Sequence, residues 1–581
     1  MRTRRTNPAL PGATLPTAPI AARSRQYIVE PQPTKRPNYG RRAVLQLLGL
    51  GICLELLFLA FYPLLAGAAP SNDVGKQALL GLFPWLPRLY WTSPAVQQLL
   101  AHLAAFDLSN AGGNANVLLL LLVISFVLAL LAAQVGRRVL REKLSLSSGR
   151  TLFSVVFILT IFFGITFVFA PAAMTHEMFL YGTYGRLITA YHVNPLAVSL
   201  TVFPHDLLQK GLIQGMAAVP ASGPVWIDIC IPIVLLARDS VANVLLGFRL
   251  LGLAAHLVNA LLIWSILAKL KPELRIGATV LYAWNPLVLL LSIAGMHQDV
   301  LVVLFILLAI VFFQRNSPIL GWVLVLLAVL VNMLCLLLLP LLFTLLPKEA
   351  RPLPTGRRVF WWLSLIGVSA LILVLAYAPY WQNWGITGLL GSLRHTFLQD
   401  SAVNSVDAVL LNLPIKLPTW LAWLAAPQHW TILAAITVGC LLLLSCWLAD
   451  KVEFVVLFSS WVMLALLVLL PTYWPWFVLL PLALALCATS GRTLLLVLLL
   501  TAGALFSYYF LLWQPTWTGQ ALVTVALPMI VWGWLLFFVS TWSMMRDREQ
   551  EAQPVAVQRS SRSGVSRPTF PSRPSWPRRR G

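Results

Sequence analysis

The sequence predicts an all-α integral membrane protein, and three observations carry that prediction. Hydrophobic residues fill 59% of the 581 positions and charged residues only 10%, against roughly 25% charged in a soluble domain. Apolar runs such as Val117–Val135 are long enough for the bilayer core, which takes about 20 residues of helix. The basic residues are also sorted along the chain, as the positive-inside rule requires. A soluble enzyme and a disordered chain are both excluded.

The net charge of +22 sits mostly at the two ends. Residues 1–42 hold nine Lys/Arg against Glu30, and residues 544–581 hold nine Arg against three acids, so the tails contribute +8 and +6. Both tails are rich in Pro, Ser and Arg and lack hydrophobic periodicity, so they read as disordered. Placed beside membrane spans, they mark the cytoplasmic face and suit anionic headgroups; no nucleic-acid partner is expected. All six cysteines lie in apolar stretches without a CxxC pair, which indicates neither a disulfide framework nor a zinc site. The long basic leader is not the layout of a cleavable signal peptide, so the first span is expected to stay.

Taken in order, apolar runs place spans near 43–66, 115–136, 151–171, 240–267, 276–294, 299–314, 359–378, 431–448, 454–471, 475–490, 493–513 and 521–543. The run 318–347 is too long for one comfortable helix and contains Asn332 and Pro340; it reads as a hairpin of two short helices. The expected architecture is a bundle of about 12–14 transmembrane helices. It comprises a cytoplasmic tail (1–42), a two-span extension with an extracytoplasmic loop (43–136), a core (137–543) and a second cytoplasmic tail (544–581). Inner loops and tails together hold thirty-three Lys/Arg and outer loops seven, so both termini are expected inside a cell membrane. The outer loops 172–239 and 379–430 are Trp- and Tyr-rich. Seven of the eight histidines (102, 176, 192, 205, 297, 395 and 429) fall outside.

The polar chemistry gathers in three places. The first follows the third span and holds Glu177, Tyr181, Tyr184, Arg186 and Asp206. At helical spacing the two tyrosines share a face, with Glu177 one turn earlier; an amphipathic juxtamembrane helix would show the same pattern. The second is Ser222-Gly223-Pro224-Val225-Trp226. In the third, Asn285-Pro286 opens an apolar helix, and Gly295–Asp299 forms a short outer turn. His297 and Asp299 there suit a metal pair, a proton relay or simply a polar turn. Arg249 lies inside an apolar span, where an ionised group is costly and marks a functional site by default. The alternative is pairing with Glu55 of the first span.

These segments, in this order, resemble GT-C-type polyprenyl-phosphate-sugar glycosyltransferases, and most the bacterial branch of α-1,6-mannopyranosyltransferases. Glu177 stands where that family has an Asp; Tyr181, Gly185 and Asn194-Pro195 match its first loop, with Leu196 replacing a Tyr. Its next element is represented by Ser222–Trp226 without the Tyr. Its Gly-His-Asn-Asp turn is represented by Gly295–Asp299, one residue longer. Asn332 occupies a position where many relatives have Lys.

The resemblance implies a GT-C-like core that transfers a hexose, mannose in this branch, from a polyprenyl-phosphate donor to an envelope glycan or glycolipid. The acceptor hydroxyl would be attacking at the extracytoplasmic face, with inversion and with a carboxylate as base. It implies Glu177 and Asp206 as catalytic carboxylates. Tyr184, Arg186, Arg249, Asn285, His297 and Asp299 would bind donor sugar and phosphate. No metal set or cofactor is assigned; a divalent ion is compatible with His297/Asp299 or His205/Asp206. Membrane lipids are the remaining partner. Competing readings are a lipid-linked-saccharide flippase and a non-catalytic assembly subunit, the latter suggested by Glu177 in place of Asp.

Overall fold

The computed structural model describes residues 39–68, 74–82, 111–141, 146–171, 176–200, 202–212, 222–346, 354–397, 404–411, 418–449, 451–488, 490–513 and 522–536. Residues 1–38, all of the tail 544–581, His102 and parts of the outer loops lie outside the described residues. Within these ranges every extended element is a helix, and the only β pairing is an isolated bridge between Ser222 and Asn332.

Eight described helices are long and apolar enough to cross a membrane: Gly40–Leu65, Gly112–Arg138, Gly149–Val168, Val241–Leu270, Thr355–Tyr380, Pro427–Leu448, Val452–Leu469 and Gly491–Tyr508. A ninth span is broken, with Pro272–Ala283 and Pro286–Ala294 meeting at a bend of 53°. Several of the remaining predicted spans are shorter apolar helices, among them Asp299–Gln314, Pro475–Cys487 and Leu522–Leu536. The chain is thus an all-α polytopic membrane protein.

The elements that build the site are α1 (Leu146–Val168), α2 (Glu177–Thr189), α3 (Pro224–Ala237), α4 (Val241–Leu270), α5 (Arg275–Ala283), α6 (Pro286–Leu289), α7 (Asp299–Gln314) and α8 (Pro318–Val331). The break between α5 and α6 follows from local chemistry. Pro286 disfavours helical backbone at Asn285, which takes φ −68° and ψ 120°. The Asn285 side chain then accepts from the Leu287 amide at 3.0 Å and caps the new helix. After α6 the chain makes a π turn over Leu290–Ala294 and reaches Met296, where φ is +43°. The expected helical hairpin at 318–347 appears as α8, then a break at Asn332, then a 3-10 turn Met333–Leu338 and a short helix Leu339–Phe343. Asn332 is extended and accepts from the Leu334 amide at 3.1 Å.

Residues 276–303 are buried throughout and form the centre of the bundle. Some of the polar groups in this apolar interior are paired across helices, where an unpaired one costs several kcal/mol. Asn259 on α4 donates to the Tyr282 hydroxyl at 2.9 Å and the Val300 carbonyl at 3.0 Å. Trp284 donates to Thr160 on α1 at 3.1 Å.

The approach of α4 to the π turn is set by a glycine. A Cβ on Gly252 would lie 2.1 Å from the Ser292 carbonyl oxygen and 2.7 Å from the Met296 sulfur. Gly252→Ala is therefore expected to force α4 off the turn and cost ~1–3 kcal/mol, as overpacking does. Melting in detergent should fall, whereas Gly367→Ala, with nothing within 4 Å, should not lower it.

Candidate active site

The sequence separates Glu177, Gly223, His297 and Asn332, and the fold brings them together. Helices α2, α3 and α7 all begin here. Glu177 is the first residue of α2, Pro224 the first of α3 and Asp299 the first of α7. Such ends present free amides and positive partial charge, which favours anionic groups.

Glu177 is the hub. Its Oε2 meets His297 Nδ1 at 2.7 Å and accepts from the Tyr181 hydroxyl at 2.6 Å. The Tyr181 contact is the one-turn spacing seen in the sequence. Burial, and then the neighbouring Glu177 charge, push the Tyr181 hydroxyl well above its usual pKa, so it stays a donor. Tyr181 also packs edge-on against Trp226, with ring centroids 4.7 Å apart. The side chain of Glu177 keeps 14% exposure while that of His297 has none. The carboxylate side chain of Glu177 is therefore partly open, and its partner is enclosed.

His297 is locked from both sides. Its ring stacks on Trp476 at 4.1 Å, and Trp476 stacks on Trp474. The Nε2 atom is buried without a hydrogen-bond partner, and a Cβ at Gly295 would lie 3.0 Å from it. The extra residue of this turn is absorbed by the left-handed backbone of Met296, which aims the next side chain at Glu177.

Asp299 is tied in through the hairpin break. Asn332 Nδ2 donates to Asp299 Oδ1 at 3.2 Å, and Asn332 pairs with Ser222. At this crossing the Gly223 amide donates to the Val331 carbonyl at 3.0 Å, and a Cβ on Gly223 would lie 2.0 Å from the Leu330 oxygen. The glycine of the second motif thus lets α3 start against the α8 end.

Other predicted site residues take different places. Arg186 sits at the far end of α2, where it donates to Asp206 at 2.6 Å and to Asp239 at 2.9 Å. Asp206 also accepts from Tyr191 at 2.9 Å and from the Leu208 amide. Burial pushes the Asp206 carboxyl up, but Arg186, the Leu208 amide and Tyr191 outweigh it and hold it below the usual Asp value. Arg186 and Asp206 therefore form an ion pair of their own, with no described contact to Glu177. Asn285 caps α6. Tyr184 is wholly buried on α2, beside Ser222.

Arg249 is fully buried and grips backbone carbonyls: Ala294 at 3.2 Å, Val168 at 3.0 Å and Ala170 at 2.7 Å. The expected alternative partner, Glu55, instead accepts from Thr166, and its second oxygen has no hydrogen-bond partner. Carbonyl oxygens at two helix ends thus accept from the guanidinium fork.

Two site residues were not singled out in the sequence: Trp476, and Tyr508, which lies within electrostatic reach of Glu177. The outer Tyr-Trp-Pro-Trp stretch at 473–476 was the available signal for the first. Among the described residues, no group of three or more His, Cys, Asp or Glu side chains is placed to hold a metal ion.

The fold and site together define an all-α membrane protein with a polar centre at the meeting of three helix ends. Residues 89–348 match the family model described as alpha-(1->6)-mannopyranosyltransferase, N-terminal domain. The mannosyltransferase resemblance of the three motifs is shown by that match, which spans all of them. No curated protein and no solved structure matches the chain.

Proposed function

We propose that the chain transfers mannose from a polyprenyl-phosphate donor to an envelope glycan or glycolipid acceptor at the extracytoplasmic face of the cell membrane. The observation that carries this reading is Glu177. It is a partly exposed carboxylate, oriented through one oxygen by His297 and Tyr181, and it stands at the acidic position of a mannosyltransferase family. In the proposed step the acceptor oxygen attacks the anomeric carbon while its proton passes to the free Glu177 oxygen. The bond to the phosphate oxygen breaks, and polyprenyl phosphate leaves with the electron pair, inverting the centre. The starts of α2 and α3 supply positive partial charge for the developing phosphate.

Because His297 Nε2 is buried against Gly295, His297 is read as the residue that orients Glu177 rather than as a phosphate ligand. Asp299, held by Asn332, is the remaining carboxylate for sugar hydroxyls. The positive-inside count supports this face, with the loop bearing Glu177 read as an outer one.

Purified protein in detergent, given polyprenyl-phosphate mannose or glucose with an acceptor glycan, should release polyprenyl phosphate from the mannose donor. Release from neither donor would overturn the reading.

A further inference from the structure

A second concave site lies beyond the catalytic centre, on the groove side of α2 and α3. It is an open groove of about 770 Å³ between the turn after α2, the first half of α3 and residues 379–383. That volume is in the range of ligand pockets. The walls are joined by the Asn-Pro motif, since Asn194 Nδ2 donates to the Tyr380 carbonyl at 2.7 Å and the Gln382 carbonyl at 3.1 Å. Two non-glycine residues with left-handed backbone border it, His192 at φ 54° and Asn383 at φ 62°. Strained residues of this kind gather at ligand sites.

The lining chemistry selects the occupant. Asp228 Oδ1 accepts from the buried Tyr380 hydroxyl, and no described hydrogen bond uses its other oxygen. The Gln382 and Asn383 side chains are exposed beside it, and Ile231 gives an apolar patch on the next turn of α3. A fixed acceptor, two amides and an apolar face match a ring with hydroxyls on its edge and C–H groups on its face. Among the described residues no Lys or Arg lines the groove, so a carboxylate faces any anionic occupant, which argues against the donor phosphate. Exposed amides and a carboxylate likewise argue against a lipid chain.

The groove and the centre share the helices α2 and α3. Glu177 opens α2 and Ile188, a lining residue, lies near its other end; eleven residues of helix amount to about 16 Å. On α3, Trp226 touches Tyr181 at the centre, and Asp228, two residues later, lies on a different and exposed face of the same helix. A molecule filling the groove and reaching Glu177 must be extended and hydroxyl-rich.

We propose that this groove is an acceptor subsite that binds hexose units of a neutral saccharide chain behind the sugar that attacks, with Asp228 and Asn383 as its recognition residues. The assignment rests on the glycosyl-transfer reading above. The test is calorimetric titration of the full-length protein in detergent with a linear α-(1→6)-linked mannose oligosaccharide, and separately with polyprenyl phosphate. Asp228→Asn keeps an acceptor for Tyr380 but turns the free oxygen into a donor. Asn383→Gly suits the left-handed backbone and removes the amide. Each should weaken oligosaccharide binding by roughly tenfold, the worth of a hydrogen bond, with melting and polyprenyl-phosphate affinity as in the parent. Parent-like oligosaccharide binding by both variants overturns the subsite, as does a parent that binds polyprenyl phosphate but no oligosaccharide. Oligosaccharide binding that both variants weaken, in a protein that never binds polyprenyl phosphate, would support the groove while overturning the transfer reaction.

Discussion

Glu177→Gln is expected to lower turnover by about 10²–10⁴, the usual worth of a positioned general base. The amide keeps the shape of the side chain and an acceptor for Tyr181, but it cannot take a proton from the acceptor hydroxyl. Donor affinity and melting should stay close to the parent's, because a partly exposed group at a helix start contributes little to packing. Glu177→Asp should keep part of the activity, since relatives carry Asp there, although the bond to His297 Nδ1 at 2.7 Å must then stretch or shift. The measurement is polyprenyl-phosphate release under single-turnover conditions, with donor binding followed separately. Normal turnover in Glu177→Gln would place the base elsewhere. The Arg186–Asp206 pair would then be a poor substitute, because Asp206 is already held by three donors.

Arg249→Leu should produce the second large effect, and on stability as well as rate. It would leave the carbonyls of Val168, Ala170 and Ala294 without their donor in a region with no water to replace it. Each buried unpaired acceptor costs about 1–3 kcal/mol, part of which is offset by no longer burying a charge. A net loss of about 2–4 kcal/mol is expected, read as a lower melting temperature in detergent. Ala294 immediately precedes the turn that aims His297, so the turnover number should fall while the donor KM holds. That split distinguishes a positioning residue from a phosphate ligand, whose loss would raise the donor KM. Arg249→Lys should fall between parent and Leu, because a single ammonium cannot reproduce the planar fork. Removing Glu55 together with Arg249, both to Leu, should rescue neither property, because Glu55 is bonded to Thr166. Rescue would restore the Arg249–Glu55 pairing as the explanation.

Much of the architecture was legible in the residues. Hydrophobicity over about 20 residues is a one-dimensional property set by bilayer thickness, so spans such as 43–66, 151–171 and 240–267 coincide with observed helices to within a few residues. The break at Asn285-Pro286 was legible as well, since a proline constrains the residue before it. The segments 299–314 and 475–490 read as full spans but are short helices, because apolarity alone does not separate a crossing helix from one buried inside the bundle.

The candidate site was legible only in part. Glu177, Tyr181, His297 and Asp299 could be picked out because acidic and aromatic residues beside an apolar run are conspicuous, and three motifs fell in a family's order. Arg186, Asp206, Arg249 and Asn285 were equally conspicuous, yet the fold uses them as an ion pair, a carbonyl clamp and a helix cap. An unusual polar residue in an apolar sequence reports only that its cost is met somewhere, by substrate or by structure. Trp476 escaped notice because one more interfacial aromatic does not stand out among 23 tryptophans.

By itself, then, the sequence determined that this is a polytopic membrane protein and carried the segment that matches a mannosyltransferase family model. Those are properties of composition, period and local order along the chain. Which carboxylate meets His297, how far that carboxylate stays exposed and what stacks on the histidine were decided only by the tertiary structure. Those answers depend on hydrogen bonds between residues more than a hundred positions apart, such as Glu177 with His297, and on close approaches such as Gly252 against Ser292. Distances of that kind exist only once the helices have packed.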